Sequence, residues 1–142
     1  MDIHTRIHGA AEWQSVLATM PAQMRAGMQQ AMLRAVLYVQ SRVPAYPRPP
    51  AGSRYRRTLT LGRSLTGLSG AAPGALGRVE ALGTDIVGYV GTSIVYAPYV
   101  IDAERQAWMH RGRWYTLQGV VQRAQGGAAK ILSEALRTII RR

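Results

Sequence analysis

The side chains best suited to acid–base or metal chemistry are three histidines, His4, His8 and His110. His4 and His8 stand four apart, a spacing that holds a metal on a helix. They lie in a stretch that alternates apolar and polar residues, so they read as surface histidines. His110 sits in WMHRGRW, close in sequence to Asp102 and Glu104. A carboxylate–histidine pair for proton transfer is one reading; hydrogen bonding within a packed aromatic turn is the other, and the better one. The seven acidic residues form no D-x-D or E-x-x-H cluster, which leaves magnesium and zinc without a visible ligand set. No phosphate-binding G-x-x-x-x-G-K-[ST] run or dinucleotide fingerprint occurs, and Ser64 and Ser93 lack a G-x-S-x-G context. With no cysteine, thiol catalysis, Cys-ligated zinc and a disulfide framework are excluded. A chain without an enzymatic role, cofactor or metal is therefore expected.

Contact chemistry is better represented. Arg48, Arg54, Arg56, Arg57 and Arg63 cluster in and after a proline-rich stretch, with Tyr46 and Tyr55 between them. Guanidinium groups pair with phosphates in bidentate fashion and stack on planar rings. The formal net charge is +11, carried by seventeen arginines and Lys130. Such a surface attracts polyanions through a salt-dependent, sequence-independent term. The cluster reads as a DNA contact, as a docking loop for a carboxylate-rich protein, or as a solvated loop.

The elements that must position these residues follow from periodicity. Residues 2–8 alternate, as a short strand or an extended arm. Residues 10–20 carry Trp13, Val16, Leu17 and Met20 at helical spacing, and Pro21 suits the first turn of a second helix. Over residues 22–42, Met24, Met28, Ala31, Ala35 and Tyr38 share a face with Met32, Val36 and Val39 beside them, and Pro44 stops the helix. The methionines read as core filling. Residues 43–58 form a Pro/Arg-rich loop, mobile or ordered by a partner. Residues 59–68 read as a strand, with Gly62 marking a bulge or a close backbone approach. A hairpin is predicted from 78–83 and 86–91, around Gly83-Thr84-Asp85. Residues 96–103 read as a short helix or turn packed by Tyr96, Tyr99 and Val100. Residues 108–115 read as a short strand or a loop. Residues 116–142 keep a helical rhythm, with a kink or break expected at Gly126-Gly127.

A chain of 142 residues makes one domain with a real core. Strands in a run, without helices between them, argue an α+β domain. The expected architecture is an antiparallel sheet of about four strands packed against a long N-terminal helix and a C-terminal helix. No apolar run is long enough to cross a membrane, and residues 1–13 do not read as a signal peptide. The expected location is a cytoplasm, unless the chain leaves inside a particle.

Two stretches carry a resemblance. In YRRTLTLGRS, Tyr55, Arg57, Thr58, Leu61 and Ser64 fill a Y-x-R-T-x-x-L-x-x-S pattern. Later, Val90, Gly91, Thr92, Tyr96, Ala97, Tyr99 and Val100 fill V-G-T … Y-A-x-Y-V, and His110, Gly112, Arg113 and Trp114 fill H-x-G-R-W. With the helix ending near Val43-Pro44 and the closing amphipathic helix, the chain resembles tailed-phage neck and tail-completion proteins from about residue 22 to 142. It departs from them in two places. Members often carry T-G where this chain has Thr58-Leu59, and many have V-E-x-G-T where Val100-Ile101-Asp102-Ala103 stands here.

The resemblance implies a virion protomer, assembled in the host cytoplasm. Copies would form a ring, usually six-fold, that completes or terminates the tail and joins it to the head. Its partners would be other copies, the head-side connector or head-closure protein, the tail-tube protein and the viral DNA in the lumen, with no membrane. The Tyr96–Val100 turn would anchor a strand end. A free-standing basic nucleic-acid-binding module is the competing expectation.

Overall fold

The computed structural model describes residues 3–7 (backbone only), 21–54 and 57–141. His8, the helix expected over 10–20, Tyr55 and Arg56 lie outside the described residues.

The first strand, β1 (Ile3–Ile7), precedes the helix α1 (Ala22–Ser41). The apolar stripe of α1 is the one its spacing predicts: Met28, Ala31, Met32, Ala35, Val36 and Val39 are all buried. Met28 and Met32 are thus core filling. The helix stops as Arg42 donates its N–H to Val39 O at 3.0 Å, two residues before Pro44.

The hairpin forms where its turn signal places it. β2 (Arg78–Leu82) and β3 (Asp85–Thr92) pair antiparallel, with Leu82 opposite Asp85. Gly83, at φ +60°, is the first of two loop residues, as a II′-type hairpin turn requires. Arg25 of α1 donates to Gly83 O and ties the turn to the helix. β1 pairs antiparallel with the other edge of β3, Ile3 opposite Thr92 and Ile7 opposite Gly88. The sheet order is β1-β3-β2.

The class is α+β, but the sheet has three strands among the described residues, not about four. The segment read as a strand over 59–68 is a short helix, α2 (Thr60–Thr66). Leu61, Leu65 and Leu68 stand at i, i+4 and i+7, a helical period that outranks the alternation of Leu59 and Leu61. Gly62 is not a bulge but a close approach. A Cβ there would lie 3.2 Å from the Tyr46 ring, and Gly62 N donates to Tyr46 Oη at 2.6 Å.

The core gathers on one face of the sheet. Ile86, Gly88, Val90 and Thr92 share that face by alternation. α1 crosses it at Gly88, where a Cβ would lie 2.7 Å from Val36 Cγ2. Val87 and Tyr89, on the opposite face, are buried as well, with the Arg78 guanidinium 4.6 Å above the Tyr89 ring. Two further helices follow among the described residues: α3 (Ala97–Ile101) and α4 (Leu117–Ile140). Residues 108–115 are turns rather than a strand.

The closing helix is uninterrupted, without the break expected at Gly126-Gly127. Thr116 caps it, its hydroxyl accepting the Gly119 N–H at 3.1 Å. Gly127 is where α4 meets α1: a Cβ there would fall 2.2 Å from Tyr38 Oη. The glycine lets two helices pack, and that packing outweighs its poor propensity, about 1 kcal/mol.

Candidate functional site

The two stretches that carry the resemblance meet inside the molecule. Ser64, on α2, and Thr92, at the end of β3, have no solvent exposure, and their hydroxyls share a hydrogen bond of 2.8 Å. Ser64 also reaches Leu61 O at 2.7 Å, and Thr92 Oγ1 accepts the Ile94 N–H at 3.2 Å. A buried hydroxyl without partners costs stability, so this pair fixes how α2 docks on the strand end. Leu61, Val90 and Ala97 pack in the same core, and Gly91 is buried beside Thr92.

The Pro/Arg-rich loop returns onto an aromatic cluster instead of standing free at both ends. The rings of Tyr46 and Trp114 lie 5.0 Å apart, centroid to centroid. The Arg57 guanidinium sits 5.2 Å from the Trp114 ring and 5.7 Å from Tyr46, and it donates to Pro47 O. Arg57 is therefore half-buried and engaged, whereas Arg48, Arg54, Thr58 and Arg63 are exposed. None of these arginines forms an ion pair among the described residues. One sequence signal bears on that: between Glu12 and Glu80 there is no acidic residue.

His110 joins the cluster edge-on to Trp114, with centroids 5.8 Å apart. Its pKa is held below the ordinary value of 6.5, first by burial and then by the cations Arg113 and Arg57. No hydrogen bond joins it to Asp102 or Glu104. The Asp102 carboxylate is occupied elsewhere: Oδ1 accepts the Glu104 N–H at 3.0 Å and Gln118 Nε2 at 3.3 Å, and Oδ2 pairs with Arg105 at 3.3 Å. The acid–base pair is thus not assembled. Nearby Tyr115 is pushed up to about 12 by burial and by Tyr46, and its hydroxyl has no partner among the described residues. No group of three or more His, Cys, Asp or Glu that could hold a metal occurs among the described residues. Nor is any described helix long and apolar enough to cross a membrane.

The side chains expected to pack the short helix are partly reversed. α3 is seated by Ala97 and Ile101, with Val100 half-buried, while Tyr96 and Tyr99 face solvent. A five-residue helix has one buried stripe, and the smaller residues hold it. Tyr99 is 60% exposed, Val95 79% and Trp108 81%; Met109 is also open. Tyr99 O accepts the Ala107 N–H at 2.8 Å, which sets Trp108 and Met109 beside α3. Gln106 holds the loop in place, donating to Val100 O at 2.7 Å and to Trp114 O at 3.3 Å. Aromatic residues in a motif read as core, so nothing in the sequence reading marked this surface.

No protein-family model, curated protein or solved structure matched this chain.

Proposed function

We propose that this chain is a structural virion component of the tailed-phage neck. Its copies form a ring, six-fold by the resemblance, that completes or terminates the tail and joins it to the head connector around the DNA channel. The observation that carries the reading is the outward display of Val95, Tyr96, Tyr99, Trp108 and Met109 from a firmly hydrogen-bonded scaffold. Large exposed apolar patches mark interaction sites. An assembly protein needs such a surface and no reactive cleft.

The backbone at Leu59 supports the family part of the reading. Leu59 has φ +60°, and it is the one non-glycine residue with positive φ among those described. It stands where members of the resembled family often carry glycine, the residue that conformation favours.

The test is mass photometry of the chain with its head-side connector. A discrete ring of several copies is the expected result. A 15.5-kDa monomer, both alone and with the connector, overturns the proposal. A second reading, the free-standing nucleic-acid module, is favoured by the exposed Arg48, Arg54 and Arg63. It requires tight, steeply salt-dependent DNA binding by the monomer, lost when these arginines are neutralised.

A further inference from the structure

We infer that the exposed aromatic surface of residues 95–109 is one half of a head-to-tail contact between copies of this chain, and that the groove between α1 and α4 is the other half. The inference rests on the assembly reading above and supplies its two surfaces.

Area is the first argument. Val95, Tyr96, Tyr99, Trp108 and Met109 together present roughly 600 Å² of side-chain surface, at the upper limit of what a monomer leaves open. Stable interfaces bury about 800 Å² per partner, so this patch supplies most of one side. Its members are held in advance. Besides the Gln106 and Tyr99 contacts, His110 N–H donates to Ala107 O at 2.8 Å, and Arg111 Nε to Gln106 O at 3.1 Å. A patch already ordered loses little entropy on docking.

Charge decides against the patch meeting itself. Arg111, Arg113 and Arg105, the last held by Asp102, flank it against a single exposed acid, Glu104. A two-fold contact would bring each arginine toward its own copies, on a chain of net charge +11. The α1–α4 groove is less cationic: one acid, Glu134, lines it together with one arginine, Arg34. It is a half-open depression of about 570 Å³. Gly27, Ala135, Ile131 and Ile139 give it small and aliphatic lining, and Glu134 stands at its rim. The Glu134 side chain is 61% exposed, and its one ion pair among the described residues, with Lys130, is a loose 3.9 Å. It is available to the patch arginines of a neighbour. Arg34, also lining the groove, suits the face of an entering indole. Patch and groove share no residue, so one copy can donate and receive at once. A repeated contact of that kind closes into a ring.

The test uses two variants at exposed positions, Trp108→Glu in the patch and Thr138→Arg in the groove, followed by sedimentation velocity at high micromolar concentration. The wild type should self-associate, and each variant alone should do so about tenfold more weakly or less. Mixed, the two variants should form heterodimers and stop there, because one intact patch and one intact groove remain. Thr138→Arg assembling like the wild type would show patch-on-patch contact and overturn the inference.

A disulfide traps even a weak contact, and the chain has no cysteine of its own to compete. Met109→Cys mixed with Thr138→Cys should cross-link two copies on oxidation. Cross-linking of Met109→Cys alone, with none in the mixture, overturns the inference. So does a wild type that stays monomeric in free solution. If that monomer still closes into a ring on the head-side connector, the neck reading stands without this contact; if it does not, both fail.

Discussion

Two regions of this molecule invert the usual distribution of side chains, in opposite directions. Where α2 meets the end of β3, the hydroxyls of Ser64 and Thr92 are fully buried and bonded to each other. A few residues further on, Tyr99 and Trp108 face water. Single exposed hydrophobics are ordinary; a buried polar pair and several large apolar side chains exposed on neighbouring segments are the informative exceptions. The first specifies how the molecule folds. The second stands largely open to solvent, as the assembly role proposed above requires. Ser64, Thr92 and Tyr99 all stand at positions that carry the resemblance, so one sequence pattern spans the buried pair and part of the exposed surface.

The strongest way to break this division is a pair of truncations. Leu65 is completely buried beside Ser64, and Leu65→Ala should cost about 3 kcal/mol in urea unfolding. Trp108→Ser should move the same midpoint by less than about 0.5 kcal/mol, despite removing the larger side chain. Comparable losses would mean that Trp108 is part of the core and that the displayed surface is not a surface.

The buried pair itself is the next target. Thr92→Val keeps the shape, deprives Ser64 of a partner and leaves the Ile94 N–H without its acceptor. We expect a loss of about 1–2 kcal/mol. Adding Ser64→Ala should cost less than the two singles combined, because the second change removes a group already deprived. Additive effects in a double-mutant cycle would show that the hydroxyls do not act together.

Much of this architecture was legible in the sequence, for definite reasons. α1 announced itself through Met28, Ala31 and Ala35 at helical spacing, and the hairpin through Gly83, because a two-residue turn needs the positive φ found there. α2 was misread because a seven-residue helix shows only Leu61 and Leu65 of its inner face, too few for the period to dominate. The unbroken α4 was hidden because the reason for Gly127, its contact with Tyr38, is tertiary. The candidate surface was least visible of all. Tyr96 and Tyr99 face outward because Ala97 and Ile101 took the inner stripe of α3, a choice that composition does not encode. The arginine cluster was found, but not that Arg57 turns inward to Trp114 while Arg48 and Arg54 do not.

A smaller effect tests the entrance to α2. Leu59 holds a left-handed backbone that costs a leucine about 1 kcal/mol, and its side chain is half exposed. Leu59→Gly should remove that strain, and the greater freedom of glycine in the unfolded chain offsets part of the gain. The expected net change is a stabilisation of up to about 1 kcal/mol, read from the urea midpoint. Leu59→Val should lower the midpoint, since a β-branched residue tolerates positive φ worse. A glycine variant less stable than the wild type would mean that the leucine side chain, not the backbone, governs this position.

The smallest expected effect lies at the boundary between the two regions. His110 follows the exposed Trp108 and Met109, yet its ring rests edge-on against Trp114 between Arg57 and Arg113. Burial, then those two cations, lower its folded pKa below the 6.5 of the unfolded chain. The unfolded state then binds the proton more readily, so stability falls as pH drops below about 6.5 and levels off beneath the folded pKa. Above 6.5 both states are neutral there and the slope disappears. The group is partly exposed, so solvent screens the effect and keeps it small. Urea midpoints of the wild type and His110→Gln, measured across this window, should diverge on the acid side, with the wild type falling faster. His4 and His8 are present in both proteins, so the difference between the profiles isolates position 110. Parallel profiles would mean that the His110 ring is not held between the arginines. The turn that presents Trp108 and Met109 would then lack the fixed geometry that a ready-made contact surface requires.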